Sequence, residues 1–89
     1  MTRERDIESR LRRLVLAKGG LCFKFTSSEA GVPDRVVLHN GRVAFVELKQ
    51  EEGAVSKIQA WQHQRILDAG VEVWLLWDEA GVDAFVAGL

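Results

Sequence analysis

Gly31-Val32-Pro33-Asp34-Arg35-Val36-Val37-Leu38-His39-Asn40-Gly41-Arg42-Val43-Ala44-Phe45-Val46-Glu47-Leu48-Lys49 is the segment around which the chain is organised. Two apolar runs, Val36–Leu38 and Val43–Val46, flank His39-Asn40-Gly41-Arg42. Asn-Gly between β-formers signals a two-residue hairpin, because a type I′ turn needs φ > 0 at both central positions. His39 then pairs with Arg42, and counting back sets Asp34 opposite Glu47. Opposed side chains share a face, with Cβ atoms roughly 4.5–5.5 Å apart. Lys49, two residues beyond Glu47, points to the same face.

Two opposed carboxylates are costly unless something uses them. Like charges across a sheet repel, and neighbouring carboxyl groups resist ionising together. A hard divalent cation such as Mg²⁺ or Mn²⁺ removes the conflict. A lysine beside the pair can orient or deprotonate a water. Asp34, Glu47 and Lys49 therefore form a candidate site for phosphodiester hydrolysis.

Outward from the hairpin, residues 3–18 read as a helix, with Ile7, Leu11, Leu14 and Val15 at helical spacing. Thr2 is its expected cap and Gly19-Gly20 its stop. Glu4 and Glu8 flank the apolar stripe. Residues 21–26 read as a strand, with Leu21, Phe23 and Phe25 on one face and Cys22, Lys24 and Thr26 on the other. Lys24 is expected near the acidic face. Arg35, one residue off that face, reads as structural. Residues 27–31 form a loop, as do residues 50–54 around Glu51 and Glu52. Ser56 caps a second helix running to about Ala69, with Gln59 at the capping-box position. Its expected buried stripe is Val55, Ile58, Trp61 or Gln62, Ile66 and Ala69. Residues 71–77 form the last strand, and Asp78 caps a short helix through Val86. A right-handed crossover makes the last strand parallel to 43–48.

The chain of 89 residues suits one small domain, with 47% apolar residues arguing against disorder. No run is long enough to span a membrane, and no signal peptide is visible. The single cysteine, Cys22, reads as a core residue in a chain suited to a reducing cytoplasm. His39 and His63 lack the Cys/His spacing of a zinc site. Residues 1–24 carry 7 Lys/Arg against 3 acids, and residues 25–89 carry 5 against 10. The basic end, including Arg10, Arg12 and Arg13, is a candidate phosphate-contacting surface.

Pro33-Asp34 followed by Glu47-Leu48-Lys49 resembles the PD-(D/E)XK nucleases. The fuller pattern, Gly31-Val32-Pro33-Asp34-Arg35, Val46-Glu47-Leu48-Lys49 and Ser56-x-x-Gln59, is similar to their VRR-NUC (virus-type replication-repair nuclease) branch. The resemblance takes in Glu4, Glu8 and Lys24-Phe25-Thr26-Ser27, and so covers nearly the whole chain, as a stand-alone phage or bacterial type. It implies a restriction-endonuclease-like α/β core in the order α-β-β-β-α-β-α, a mixed sheet with flanking helices. It implies a metal-dependent DNA endonuclease in a bacterial or phage-infected cell. Glu8, in preference to Glu4, would complete the acidic cluster. Gln59 would position the lysine, a water or the phosphate, with Gln62 a weaker candidate. Lys24 and Ser27 would hold substrate phosphate. Branched DNA such as a four-way junction is the implied substrate, cut by a homodimer. The alternatives are a flap, nick or single-strand nuclease, a DNA-binding module with an idle site, or an unrelated small α/β interaction protein.

Overall fold

The computed structural model describes residues 4–50 and 53–89. The expected cap at Thr2 lies outside them, as do Glu51 and Glu52 of the expected loop. The elements are α1 (Glu4–Ala17), β1 (Leu21–Lys24), β2 (Arg35–His39), β3 (Arg42–Leu48), α2 (Lys57–Asp68), β4 (Glu72–Leu76) and α3 (Glu79–Ala87). They form one sheet of order β1-β2-β3-β4. The first two pairings are antiparallel and β3–β4 is parallel, as a crossover through α2 requires.

The hairpin turns where Asn-Gly dictates. Asn40 has φ 51° and Gly41 φ 84°, the left-handed pair of a type I′ turn. His39 pairs with Arg42 and Arg35 with Val46, the expected register. One step further lies Asp34 against Glu47. The Phe25 N–H donates to the Asp34 carbonyl at 2.8 Å, so the β1–β2 pairing also continues to this row.

Pleating divides the sheet into two faces. Val37, Ala44, Val46, Leu48 and Leu76 point to one, where α1 and α3 cover them. α1 meets this face through Ile7, Leu11 and Val15, all fully buried. Their four-residue spacing is one helical stripe, and α3 adds Val82, Phe85 and Val86. Truncating such a side chain, Leu11→Ala for instance, costs about 2–5 kcal/mol. Asp34, Glu47 and Lys49 belong to the opposite face, against which α2 lies.

α2 begins at a full capping box. The Ser56 hydroxyl accepts from the Gln59 N–H at 3.2 Å, and the Gln59 side chain accepts from the Ser56 N–H at 3.0 Å. The loop before β2 presses on this helix at Gly31. A Cβ there would sit 2.8 Å from the Ile58 carbonyl oxygen, and φ is +88°, so only glycine fits.

Two expectations about side-chain direction are corrected. α2 buries its expected stripe only in part: Ile58 is exposed, Gln62 and not Trp61 is the buried member of that pair, and His63 is buried beside it. β1 pairs Lys24 with Arg35, so Lys24 lies on the α1 face and not beside Asp34 and Glu47. Its other row, Leu21, Phe23 and Phe25, leaves large apolar side chains exposed on the α2 side.

Candidate active site

Asp34 stands just before β2 and Glu47 near the end of β3, brought together by the hairpin register. Glu47 is 9% exposed. Burial, then the Asp34 charge, pushes its carboxyl up from 4.5 to about 7, with Glu4 adding to the rise and Lys49 and Arg35 opposing it. Asp34 is split between two environments. Its Oδ2 accepts from the Arg35 guanidinium at 2.9 Å, while its Oδ1 is buried with no hydrogen-bond partner. A buried carboxylate oxygen without a donor is uncommon enough to need a reason.

Lys49 follows on the same face. Its Nζ donates to Gln59 Oε1 at 2.7 Å and to the Ala54 carbonyl at 3.2 Å. An ammonium has three N–H donors, so one remains beyond these two contacts. Gln59 thus does two jobs: its Oε1 closes the cap of α2 and fixes the lysine. The capping box and the positioning role, alternatives in the sequence, are one arrangement in space.

Glu8 is not gathered into the acidic cluster. Its carboxylate accepts from the Arg35 guanidinium, which is buried among α1-facing residues. Among the charges that raise Glu47, the helix acid is Glu4. Among the described residues no three acids, histidines or cysteines converge. The donor set is therefore Asp34, Glu47 and nearby backbone. The orphaned Asp34 Oδ1 and a Glu47 that cannot comfortably ionise alone both fit a hard cation, which would satisfy the first and stabilise the charged form of the second.

Three other expected residues take different places. Ser27 Oγ accepts from the Glu29 N–H at 3.0 Å, shaping its own loop. Arg10 is bound to Asp83 of α3 through two hydrogen bonds of 2.7 and 2.9 Å. Gln62 donates to the Ala30 carbonyl at 3.1 Å and to Glu29 at 3.2 Å, tying α2 to the 27–31 loop. Arg12 and Arg13 line an open groove on α1.

Comparison with known proteins follows the same lines. No family model matches the chain. A phage protein, "Putative nuclease p44" of Acyrthosiphon pisum secondary endosymbiont phage 1, is 38% identical over 78 residues, covering 85% of this chain and 84% of that protein. A solved VRR_NUC domain superposes with a TM-score of 0.87 at 28% identity, covering 98% of this chain and 97% of that one. The chain belongs to the VRR-NUC nucleases. Hjc of Archaeoglobus fulgidus, a Holliday junction resolvase, superposes with a TM-score of 0.58 at 16% identity, over 82% of this chain and 68% of that one. That likeness shows a shared restriction-endonuclease-like fold.

In this VRR-NUC chain, Arg35, which reads from the sequence as structural, and His63, which lacks the spacing of a zinc ligand, both border the site. Arg35 links Glu8 to Asp34. Burial works against its cation, but Glu8 and Asp34 outweigh this and hold it charged above the ordinary range. The available signal was the hairpin register, which sets a charged residue opposite inward-facing Val46. His63 is buried, its Nε2 has no partner, and burial, then Lys49, pushes its pKa down. The signal was its place four residues after Gln59, on the same side of α2. No helix among the described residues is long and apolar enough to cross a membrane.

Proposed function

We propose that this VRR-NUC chain is a Mg²⁺- or Mn²⁺-dependent DNA endonuclease that recognises branched DNA, the four-way junction above all. The observation that carries the metal assignment is the Asp34–Glu47 row, with an unpartnered buried oxygen on one residue and a carboxyl raised to about 7 on the other. Asp34, Glu47 and the Leu48 carbonyl would hold the cation. When bound, it supplies positive charge for the phosphate undergoing attack. Glu47 must lose its proton to serve as ligand, so metal affinity rises with pH through neutrality.

Lys49, held by Gln59 and the Ala54 carbonyl, aims its remaining N–H at the attacking water or a phosphate oxygen. Arg35 keeps one oxygen of Asp34 engaged and leaves the other for the metal. Glu8 acts through Arg35 in the metal-free protein, as a positioning residue. The likeness to a junction resolvase supports the choice of substrate, and a junction needs two cuts. A homodimer supplies two sites related by a two-fold axis. Trp61 is exposed on the outer side of α2, which supports burial against a second copy.

Labelled junction, flap, nicked and single-stranded DNA, each with Mg²⁺, Mn²⁺ or chelator, test this reading. Paired cuts in the junction that disappear with chelator are expected. Cleavage confined to flaps or single strands would replace the substrate assignment, and cleavage in chelator would end the metal assignment. Sedimentation without DNA at micromolar concentration is expected to give a dimer.

A further inference from the structure

On the α1 face, behind the acidic pair, a cavity of about 290 Å³ is lined by Glu8, Arg12, Cys22, Phe23, Lys24 and Arg35. The lining holds three cations and one carboxylate, and Asp34 pairs with Arg35 from outside it. Glu8 is compensated by one nitrogen of Arg35, which leaves Arg12 and Lys24 without an ion-pair partner among the described residues. Arg35 is 3% exposed, and its Nε is buried with no acceptor. A guanidinium nitrogen in that condition calls for an anion or a water. The Cys22 thiol, pushed up chiefly by burial, is pulled back by Arg35 and then Arg12, so both cations act on the same small volume.

We propose that this cavity is a second phosphate site, taking one backbone phosphodiester of the DNA other than the one cleaved. The inference rests on the DNA-nuclease reading above and deepens it. Arg35 would form the floor, its buried Nε–H met by a phosphate oxygen as Arg12 and Lys24 close over the anion from α1 and β1. A planar, permanently charged guanidinium with an unused donor suits phosphate oxygens. Asp34 and Arg35 are chain neighbours on opposite faces, so this phosphate would be gripped by the residue that also holds Asp34. The surface expected from the basic end of the sequence is thereby narrowed. Lys24 and Arg12 contribute to a built pocket, whereas Arg10 is spent on Asp83.

The test uses the full chain in chelator, so that DNA is bound and not cut. The Arg35 Nε–H signal is followed by nitrogen-15 NMR while junction DNA is added, and binding is measured separately by fluorescence anisotropy across a range of salt. The expected result is a shifted Arg35 Nε–H on DNA binding. In the Arg12→Gln/Lys24→Gln double variant that shift disappears and the slope of log K against log salt falls by about one, the worth of a single phosphate. A slope reduced by about two would mean two separate surface contacts and overturn the pocket. DNA binding with the Nε–H unmoved overturns it while leaving the nuclease reading intact. So does a shift seen only with inorganic phosphate at matched ionic strength, which would mark a free-anion site. No DNA binding at all would remove both proposals together.

Discussion

β3 begins with one charged residue, Arg42, and carries another, Glu47, one place before its end, and the two are treated differently. At its start, Arg42 forks onto Glu72 of β4 at 2.6 and 2.7 Å and donates to the Gly88 carbonyl at 2.8 Å. Trp74 Nε1 adds a fourth bond, to Glu72, at 2.9 Å. The Arg42 and then the Trp74 hydrogen bonds hold Glu72 down at about 2. At the far end Glu47 is buried beside another acid and sits at about 7. One glutamate is fully answered by its neighbours, and the other is left short of positive charge, because Lys49 and Arg35 oppose its rise only in part. A strand that can satisfy an acid at one end and does not at the other supports the metal site proposed at the unsatisfied end.

The largest effects are expected at that unsatisfied end. Asp34→Asn and Glu47→Gln should each lower cleavage at least about 10³-fold by weakening metal binding while the fold is kept. Turnover and Mn²⁺ titrations check both. Full activity in either variant would break the contrast between the two ends. Lys49→Ala should lower turnover about 10²-fold or more with little change in DNA affinity, because its free N–H acts in the chemical step. Equal losses in both would make it a phosphate anchor.

Stability should show the opposite asymmetry. Glu47 carries a raised pKa, so the folded state holds a proton that the unfolded state releases above about 4.5. Its contribution is present below that value and is lost as pH rises toward 7, so metal-free stability should fall across this window. A tenfold difference in proton affinity between the two states is worth about 1.4 kcal/mol, so the loss is on the order of 2–3 kcal/mol after allowing for partial solvation. Glu47→Gln should abolish this loss and leave the metal-free variant more stable than wild type at pH 8, as urea unfolding at pH 5 and pH 8 would show. Glu72 behaves in reverse: its depressed pKa gives stability above the ordinary carboxylate range that fades as pH falls toward 2. The smallest effect is expected there. Arg42→Gln should cost about 1 kcal/mol of stability, since the pair is partly exposed, and leave cleavage unchanged.

The sequence made the unsatisfied end legible because the hairpin is a local device. Asn40-Gly41 fixes the turn, the turn fixes the register, and the register sets Asp34 opposite Glu47 without knowledge of any other element. Gln59 was legible for a similar reason, through its three-residue spacing from Ser56. The misplaced residues depend on relations between distant elements. Glu8 was expected to reach the metal, but where it points depends on how α1 crosses β2, and there it meets Arg35. Lys24 was set on the wrong face because the pairing of β1 with β2 spans a loop that carries no register signal. The stripe of α2 misled in part because Ile58 and Trp61 follow helical spacing yet face outward, while Gln62, the polar alternative to Trp61, faces in with His63. Helical spacing shows that a stripe exists and does not say which side the sheet is on.

The Asp34–Glu47 row is proposed to be poised for a divalent cation. A carbon-13 NMR titration of the Glu47 side-chain carboxyl, without and then with saturating Mg²⁺, tests it most directly. The metal-free protein should titrate Glu47 near 7, and Mg²⁺ should drive the midpoint below its ordinary value of 4.5. A midpoint already near 4.5 without metal, or one near 7 that Mg²⁺ does not move, would contradict the account.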